Sequence, residues 1–121
     1  MSTAATGRKG EEIAAAYLDR NGYRIVARNF RAYGAELDIV AIRDGTLVFA
    51  EVKYWRAYDF SELERKLDYR KRARIIRASR GFLTLHPVFC QDRVRYDLLY
   101  VNDSGKVAEH VTNAFTETDY S

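Results

Sequence analysis

Asp38, Glu51 and Lys53 are the residues of this chain whose types and spacing could do chemistry. Glu51 and Lys53 stand two apart in the run from Thr46 to Trp55, whose Leu47, Val48, Phe49 and Ala50 read as a buried strand. Side chains two apart share a strand face, so Leu47, Phe49, Glu51 and Lys53 project together. Burying an unpaired charge is costly, so an apolar residue is expected at such positions unless the charges are used. A second apolar run, from Ala35 to Ile42, carries Asp38 on the face of Val40 and Ile42. Arg43-Asp44-Gly45 joins the two runs as a hairpin turn. Counting outward from the turn sets Ile42 near Leu47 and Asp38 near Glu51. Two carboxylates so placed repel unless a cation lies between them. A divalent ion held by Asp38 and Glu51, with a backbone carbonyl such as that of Val52, resolves the conflict. All-oxygen ligation suits Mg²⁺ or Mn²⁺ rather than zinc. Lys53 then stands where a water or a phosphate oxygen would approach.

The elements that must position these residues are legible along the chain. "GEEIAAAYLDRNG" reads as a helix stopped by Asn21-Gly22. Glu11 falls on its inward stripe with Ala14 and Leu18, and Glu12 falls outside, so Glu11 is the third candidate metal ligand. "YRIVARN", "AELDIVAI" and "TLVFAEVKYW" follow as strands. A helical region opens at Ser61, with Glu64 as a capping box and a break near Asp68-Tyr69. Ile75, Ile76, Ser79, Phe82 and Leu83 supply its apolar stripe, and Lys71 shares a stripe with Ile75, Ala78 and Phe82. "RVRYDLLYV" and "KVAEHV" are the last strands, with Phe115 closing an edge of the core. The order α-β-β-β-α-β-β implies an α/β fold, a mixed sheet with helices against it.

Residues 61–80 hold eight basic against three acidic residues, and residues 102–121 one against four. This polarity points to a polyanion, with Lys9, Lys71, Arg72, Arg74 and Arg77 as candidate nucleic-acid contacts. At 121 residues, 47% of them hydrophobic, the chain is expected to form a single folded domain, residues 1–121 with a core over about 7–115. Cys90 is the only cysteine, which excludes an intrachain disulfide and a cysteine zinc site. No apolar leader or long apolar run is present, so a cytoplasmic protein without membrane contact is expected. A homodimer is left open.

Bland readings compete with each assignment. Glu51 and Lys53 could form a structural ion pair, and Glu11 could be an ordinary first-turn carboxylate. Glu36 is either a secondary ligand or a cap for the loop after Gly34. Glu64-Arg65-Lys66 repeats the Glu-x-Lys pattern on a solvated helix face. Arg95 with Asp97 reads as a structural ion pair, His86 and His110 as surface residues, and Tyr54 and Trp55 as core or edge aromatics.

"GEEIAAAYL", "NFRAYGAELDIVA", "LVFAEVK", "KRARIIRASRGFL" and "RYDLLYV" together resemble, in order and spacing, the YraN-like family of uncharacterised bacterial proteins. That family resembles the restriction-endonuclease-like PD-(D/E)XK superfamily and is similar in pattern to archaeal Holliday junction resolvases. The resemblance implies a restriction-endonuclease-like core and a Mg- or Mn-dependent nuclease. It maps the superfamily's metal-site acidic residues onto Asp38 and Glu51, its active-site lysine onto Lys53 and its helix glutamate onto Glu11. Lys71 matches a lysine of the following helix, and Arg95 and Asp97 an Arg-x-Asp strand. Three departures stand out: Ala35 replaces a glycine, Trp55 an arginine, and Leu37 the superfamily's proline. Taken with the residues, it implies a DNA phosphodiesterase, on structured or branched DNA by analogy. The alternative is a non-catalytic nucleic-acid-binding or interaction module on the same fold.

Overall fold

The structure is a computed structural model that describes residues 3–55, 69–90, 92–102 and 104–117. Its elements are α1 (Thr3–Arg20), β1 (Arg24–Ala32), β2 (Ala35–Arg43), β3 (Thr46–Trp55), α2 (Tyr69–Leu85), β4 (Arg93–Asn102) and β5 (Val107–Phe115). The α-β-β-β-α-β-β order and the mixed sheet are those the sequence implies. The strands lie in the order β1-β2-β3-β4-β5, with β3 and β4 parallel and the other neighbours antiparallel. The parallel pair requires a crossover, and α2 lies within it. The helix start at Ser61, its Glu64 cap, the break at Asp68 and the Glu64-Arg65-Lys66 repeat lie outside the described residues.

The sheet is apolar on both faces. Val40, Leu47, Phe49, Tyr96 and Leu98 pack with Ile75, Ala78 and Phe82 of α2. Ile39, Ala41, Val48, Ala50, Leu99 and Val101 pack with Ala14 and Leu18 of α1. A two-faced strand must read as a nearly continuous apolar run, which is why β2 and β3 do not alternate cleanly. Phe115, at the end of β5, is buried in the core on the α2 side. No helix among the described residues is long and apolar enough to cross a membrane.

Strands β1 and β5 run further than the local pattern suggests, β5 continuing past Val111 to Phe115. β1 continues past Asn29 to Ala32, because Asn29 takes a left-handed φ of 53° without ending the ladder. Asparagine tolerates that conformation better than most residues. The hairpins β1–β2 and β2–β3 turn through Tyr33-Gly34 and Asp44-Gly45, all four with positive φ, which is the two-residue turn that matches strand twist.

Candidate functional site

The site forms where β2 and β3 separate. Their register runs from Arg43↔Thr46 through Ile42↔Leu47 to Ile39↔Ala50 and goes no further. Beyond that point β2 stays with β1, down to Ala32↔Ala35, while β3 stays with β4, up to Trp55↔Asn102. The parting would orphan backbone groups of β3. Asp38 answers one of them: its Oδ2 accepts the Val52 N–H at 2.9 Å. The expected approach of Asp38 to Glu51 is thereby met at the mouth of a fork between the strands.

Carboxylates converge on this fork from three elements. Oxygen atoms of Glu11 (α1), Glu36 and Asp38 (both β2) lie within 4.8 Å of one another. Oxygen atoms gathered in this way are the donor type that a hard divalent cation takes. Asn29 fixes the outer pair, its Nδ2 donating to Glu11 Oε2 and to Glu36 Oε1, each at 2.8 Å. Arg31 caps Glu36 from solvent at 3.0 Å. Glu51 stands close enough to Asp38 for its charge to act on the Asp38 carboxyl. The structure thus gathers Glu11, Glu36 and Asp38 into one acidic group and sets Glu51 beside Asp38. Glu12 is exposed, as its helical position requires.

Crowded carboxylates set the electrostatics of the site. Burial, and then the charge of Glu51, push the Asp38 carboxyl up to about 7 against the pull of the Val52 N–H. Burial also raises the Glu11 carboxyl; Asp38 and Glu36 add to the rise and the Asn29 hydrogen bond opposes it. The cation that answers Glu51 is Lys71 of α2, whose Nζ lies 2.7 Å from Glu51 Oε1. Lys71, on the helical stripe of Ile75, Ala78 and Phe82, thus takes the ionic role that a Glu51–Lys53 pair would give to Lys53, while its side chain stays 42% exposed. Lys53 is half-buried beside the pair. Burial, and then the like charge of Lys71, lower its pKa, outweighing Glu51 and Asp38.

A cleft of about 290 Å³ opens over the fork, lined by Gly34, Ala35, Glu36, Asp38, Glu51, Lys71, Arg74 and Ile75. A groove of about 440 Å³ along α2 is lined by Tyr69, Arg70, Ala73, Arg74 and Arg77. Arg74 belongs to both. Arg74 and Arg77 are exposed and Arg72 is half-buried, while Lys9 is exposed on α1, two residues from Glu11. Tyr54, on the other face of β3, approaches Gly10 of α1: a Cβ added there would stand 3.6 Å from its ring. Asn29 is the site residue that sequence reasoning missed. Its signal was an asparagine inside a strand, where that residue is depleted.

A second buried polar cluster lies on the α1 face of the sheet. Asp97, fully buried opposite Ala50, accepts from Arg95 Nε and Nη2 at 2.9 Å each and from the Asn113 N–H at 3.0 Å. His110 Nε2 lies 2.7 Å from Asp97 Oδ2, and Nδ1 lies 3.0 Å from the Tyr17 hydroxyl. His110 is therefore no surface residue: its side chain is 12% exposed. The reading failed because its partners come from β4 and α1, far away in the chain. Burial alone would raise the Asp97 carboxyl; the His110, Arg95 and Asn113 hydrogen bonds together hold it below the usual range. His86, by contrast, is exposed and lies over Phe82.

Comparison with known proteins places the chain. The model of the uncharacterised protein family UPF0102 matches residues 10–101. A UPF0102 protein of Nitratidesulfovibrio vulgaris is 43% identical over 118 residues, covering 95% of this chain and 87% of that protein. One of Azorhizobium caulinodans is 41% identical, covering 92% and 82%. Another, of Francisella tularensis, is 35% identical, covering 95% and 97%. The acidic fork lies inside the matched residues, and the chain belongs to the UPF0102 family, the one its YraN-like motifs suggest.

Proposed function

We propose that this protein is a metal-dependent nuclease that hydrolyses phosphodiester bonds of DNA. The observation that carries the reading is the fork between β2 and β3, where Asp38 meets Glu51 on one side and Glu11 and Glu36 on the other, below a cleft rimmed by Lys71 and Arg74. These oxygens suit Mg²⁺ or Mn²⁺, which when bound would polarise a phosphate oxygen and acidify a water molecule. Asp38, Glu51, Glu11 and Glu36 would hold the ion. Lys53, with its lowered pKa and its place beside the carboxylates, would orient the attacking water and offset charge on the phosphate. Arg74 and Arg77 would hold flanking phosphates without reading sequence.

One observation favours a second reading. Lys71 already neutralises Glu51, so the fork is electrostatically answered by the chain itself, as in a non-catalytic nucleic-acid-binding module. Cleavage separates the two. The protein is incubated with linear, nicked, flapped and four-way DNA in Mg²⁺, Mn²⁺ or EDTA. Cutting that needs the ion and is lost in Asp38→Ala supports the nuclease. Salt-sensitive binding without cutting of any of these substrates supports the module.

A further inference from the structure

The two tight hairpin turns of this sheet solve one geometric problem with different residues. At the end remote from the fork, Asp44 and Gly45 have φ of 50° and 73°. At the fork end, Tyr33 and Gly34 have φ of 53° and 73°. Aspartate before glycine is favoured in such a turn, because a short polar side chain tolerates the left-handed region. A tyrosine there is disfavoured by about 1–2 kcal/mol. Strain of this kind persists where the surroundings hold it and is frequent at functional positions.

The surroundings do hold it. A Cβ on Gly81 of α2 would stand 2.9 Å from Tyr33 Cε2, 3.3 Å from its Cδ2 and 2.9 Å from the Ala32 Cβ. Only a glycine lets the ring settle this closely against the helix. Yet Tyr33 remains 67% exposed, so the contact fixes the ring without hiding it. Its neighbours Gly34, Ala35 and Glu36 line the cleft over the fork. On α2, Arg74, Arg77 and Gly81 are spaced by three and four residues and lie along one face. Gly81 is two turns from Arg74, about 10 Å by helix rise.

We infer that Tyr33 is a stacking platform for an unpaired base, so that the protein takes nucleic acid with a single-stranded stretch running from the cleft along α2. The inference rests on the nucleic-acid reading above and narrows it to a substrate class. Arg74 at the cleft and Arg77 one turn on contact successive phosphates, and the next base leaves its partner to lie on the immobilised ring. A base inside a duplex cannot reach that ring, whereas any unpaired base can, because every base has a stacking face.

The test is binding in EDTA, where cleavage does not interfere. The probes are a twelve-nucleotide single strand, one carrying 2-aminopurine, and a twelve-base-pair duplex. Wild type should bind the single strand more tightly and quench the 2-aminopurine. Tyr33→Phe should retain both effects. Tyr33→Asn should weaken single-strand binding by at least about fivefold, remove the quenching and leave duplex affinity unchanged. Because asparagine suits the turn, its melting temperature should equal or exceed that of wild type, which excludes misfolding as the cause. Single-strand binding by Tyr33→Asn equal to wild type, in a protein that binds DNA, overturns the platform and leaves the nuclease reading standing. A wild-type protein that binds neither probe at low salt overturns the platform, while cleavage in Mg²⁺ or Mn²⁺ still decides the nuclease reading.

Discussion

Lys71 Nζ lies 2.7 Å from Glu51 Oε1, joining α2 to the one glutamate buried in β3. The glutamate is 5% exposed and the lysine side chain 42%, so the pair is inside at one end and wet at the other. Removing one partner of a fully buried pair costs about 3–5 kcal/mol, and solvent at the lysine reduces that. Lys71→Met is therefore expected to lower stability in EDTA by about 1–3 kcal/mol, read by urea unfolding. It should also tighten Mn²⁺ binding in a calorimetric titration, because the competing ammonium is gone. Wild-type values for both would mean that the ion pair is incidental.

Asp38 makes stability depend on pH in the opposite sense to most carboxylates. Its folded pKa is about 7, above the ordinary 3.8, so the folded state favours the protonated acid. The resulting stability is fully present below about pH 4 and is lost as pH rises through about 7. In EDTA the melting temperature should fall across this window. Asp38→Asn, which resembles the protonated form, should flatten that fall and melt higher than wild type at pH 8. Wild type and Asp38→Asn with parallel pH profiles would contradict this electrostatic account.

Metal binding should depend on both sides of the fork. Asp38→Ala and Glu51→Ala should each weaken Mn²⁺ binding sharply, and Glu11→Gln and Glu36→Gln less so, because Asp38 and Glu51 are the more deeply buried carboxylates and Asp38 neighbours all the others. Equal affinities across the series would place the ion elsewhere.

Lys53→Ala should separate binding from chemistry. The lysine cannot ligate a metal while protonated, so its loss should leave Mn²⁺ and DNA binding nearly intact. Losing one preorganised stabiliser of developing charge typically costs about 10²–10³ in rate. Single-turnover cleavage with saturating enzyme measures that step alone. Cutting at the wild-type rate would remove Lys53 from the mechanism.

Replacing Arg72, Arg74 and Arg77 with alanine should weaken binding to unrelated DNA sequences by similar factors. The slope of log affinity against log salt should also become shallower, since fewer counterions are released. An unchanged slope would move the DNA-binding face off α2.

Asp97 offers a structural control. It is fully buried and ionised by virtue of Arg95, His110 and the Asn113 N–H. Arg95→Met leaves that charge short of its bidentate partner and should cost about 3 kcal/mol or more. Its folded pKa is depressed, so the contribution is present above the usual carboxylate range and fades as pH falls through the folded value. Chemical unfolding at pH 7 and pH 3 reads this directly: the gap between wild type and Arg95→Met should narrow in acid. A gap that stays constant would assign the effect to lost packing.

The sequence by itself determined the elements and the charges they carry into the interior. Apolar runs of strand length, an Asp-Gly turn and a helical stripe through Ile75 and Phe82 required a layered α/β chain. The turn alone set Ile42 opposite Leu47, and hence Asp38 toward Glu51, because register in a two-residue hairpin follows from counting. Helical spacing chose Glu11 over Glu12 in the same way. Only the tertiary structure decided what those charges meet. The end of the β2–β3 ladder at Ile39↔Ala50 depends on β1 and β4 drawing the two strands apart, and no local pattern records that pull. Asn29 reaches Glu11 and Glu36 across 18 and 7 residues of chain, and Lys71 reaches Glu51 across the crossover. His110 read as exposed because its burial comes from Tyr17 and Asp97, supplied by α1 and β4. Periodicity states which way a side chain points, while the partner it finds there is set by packing between elements distant in the chain.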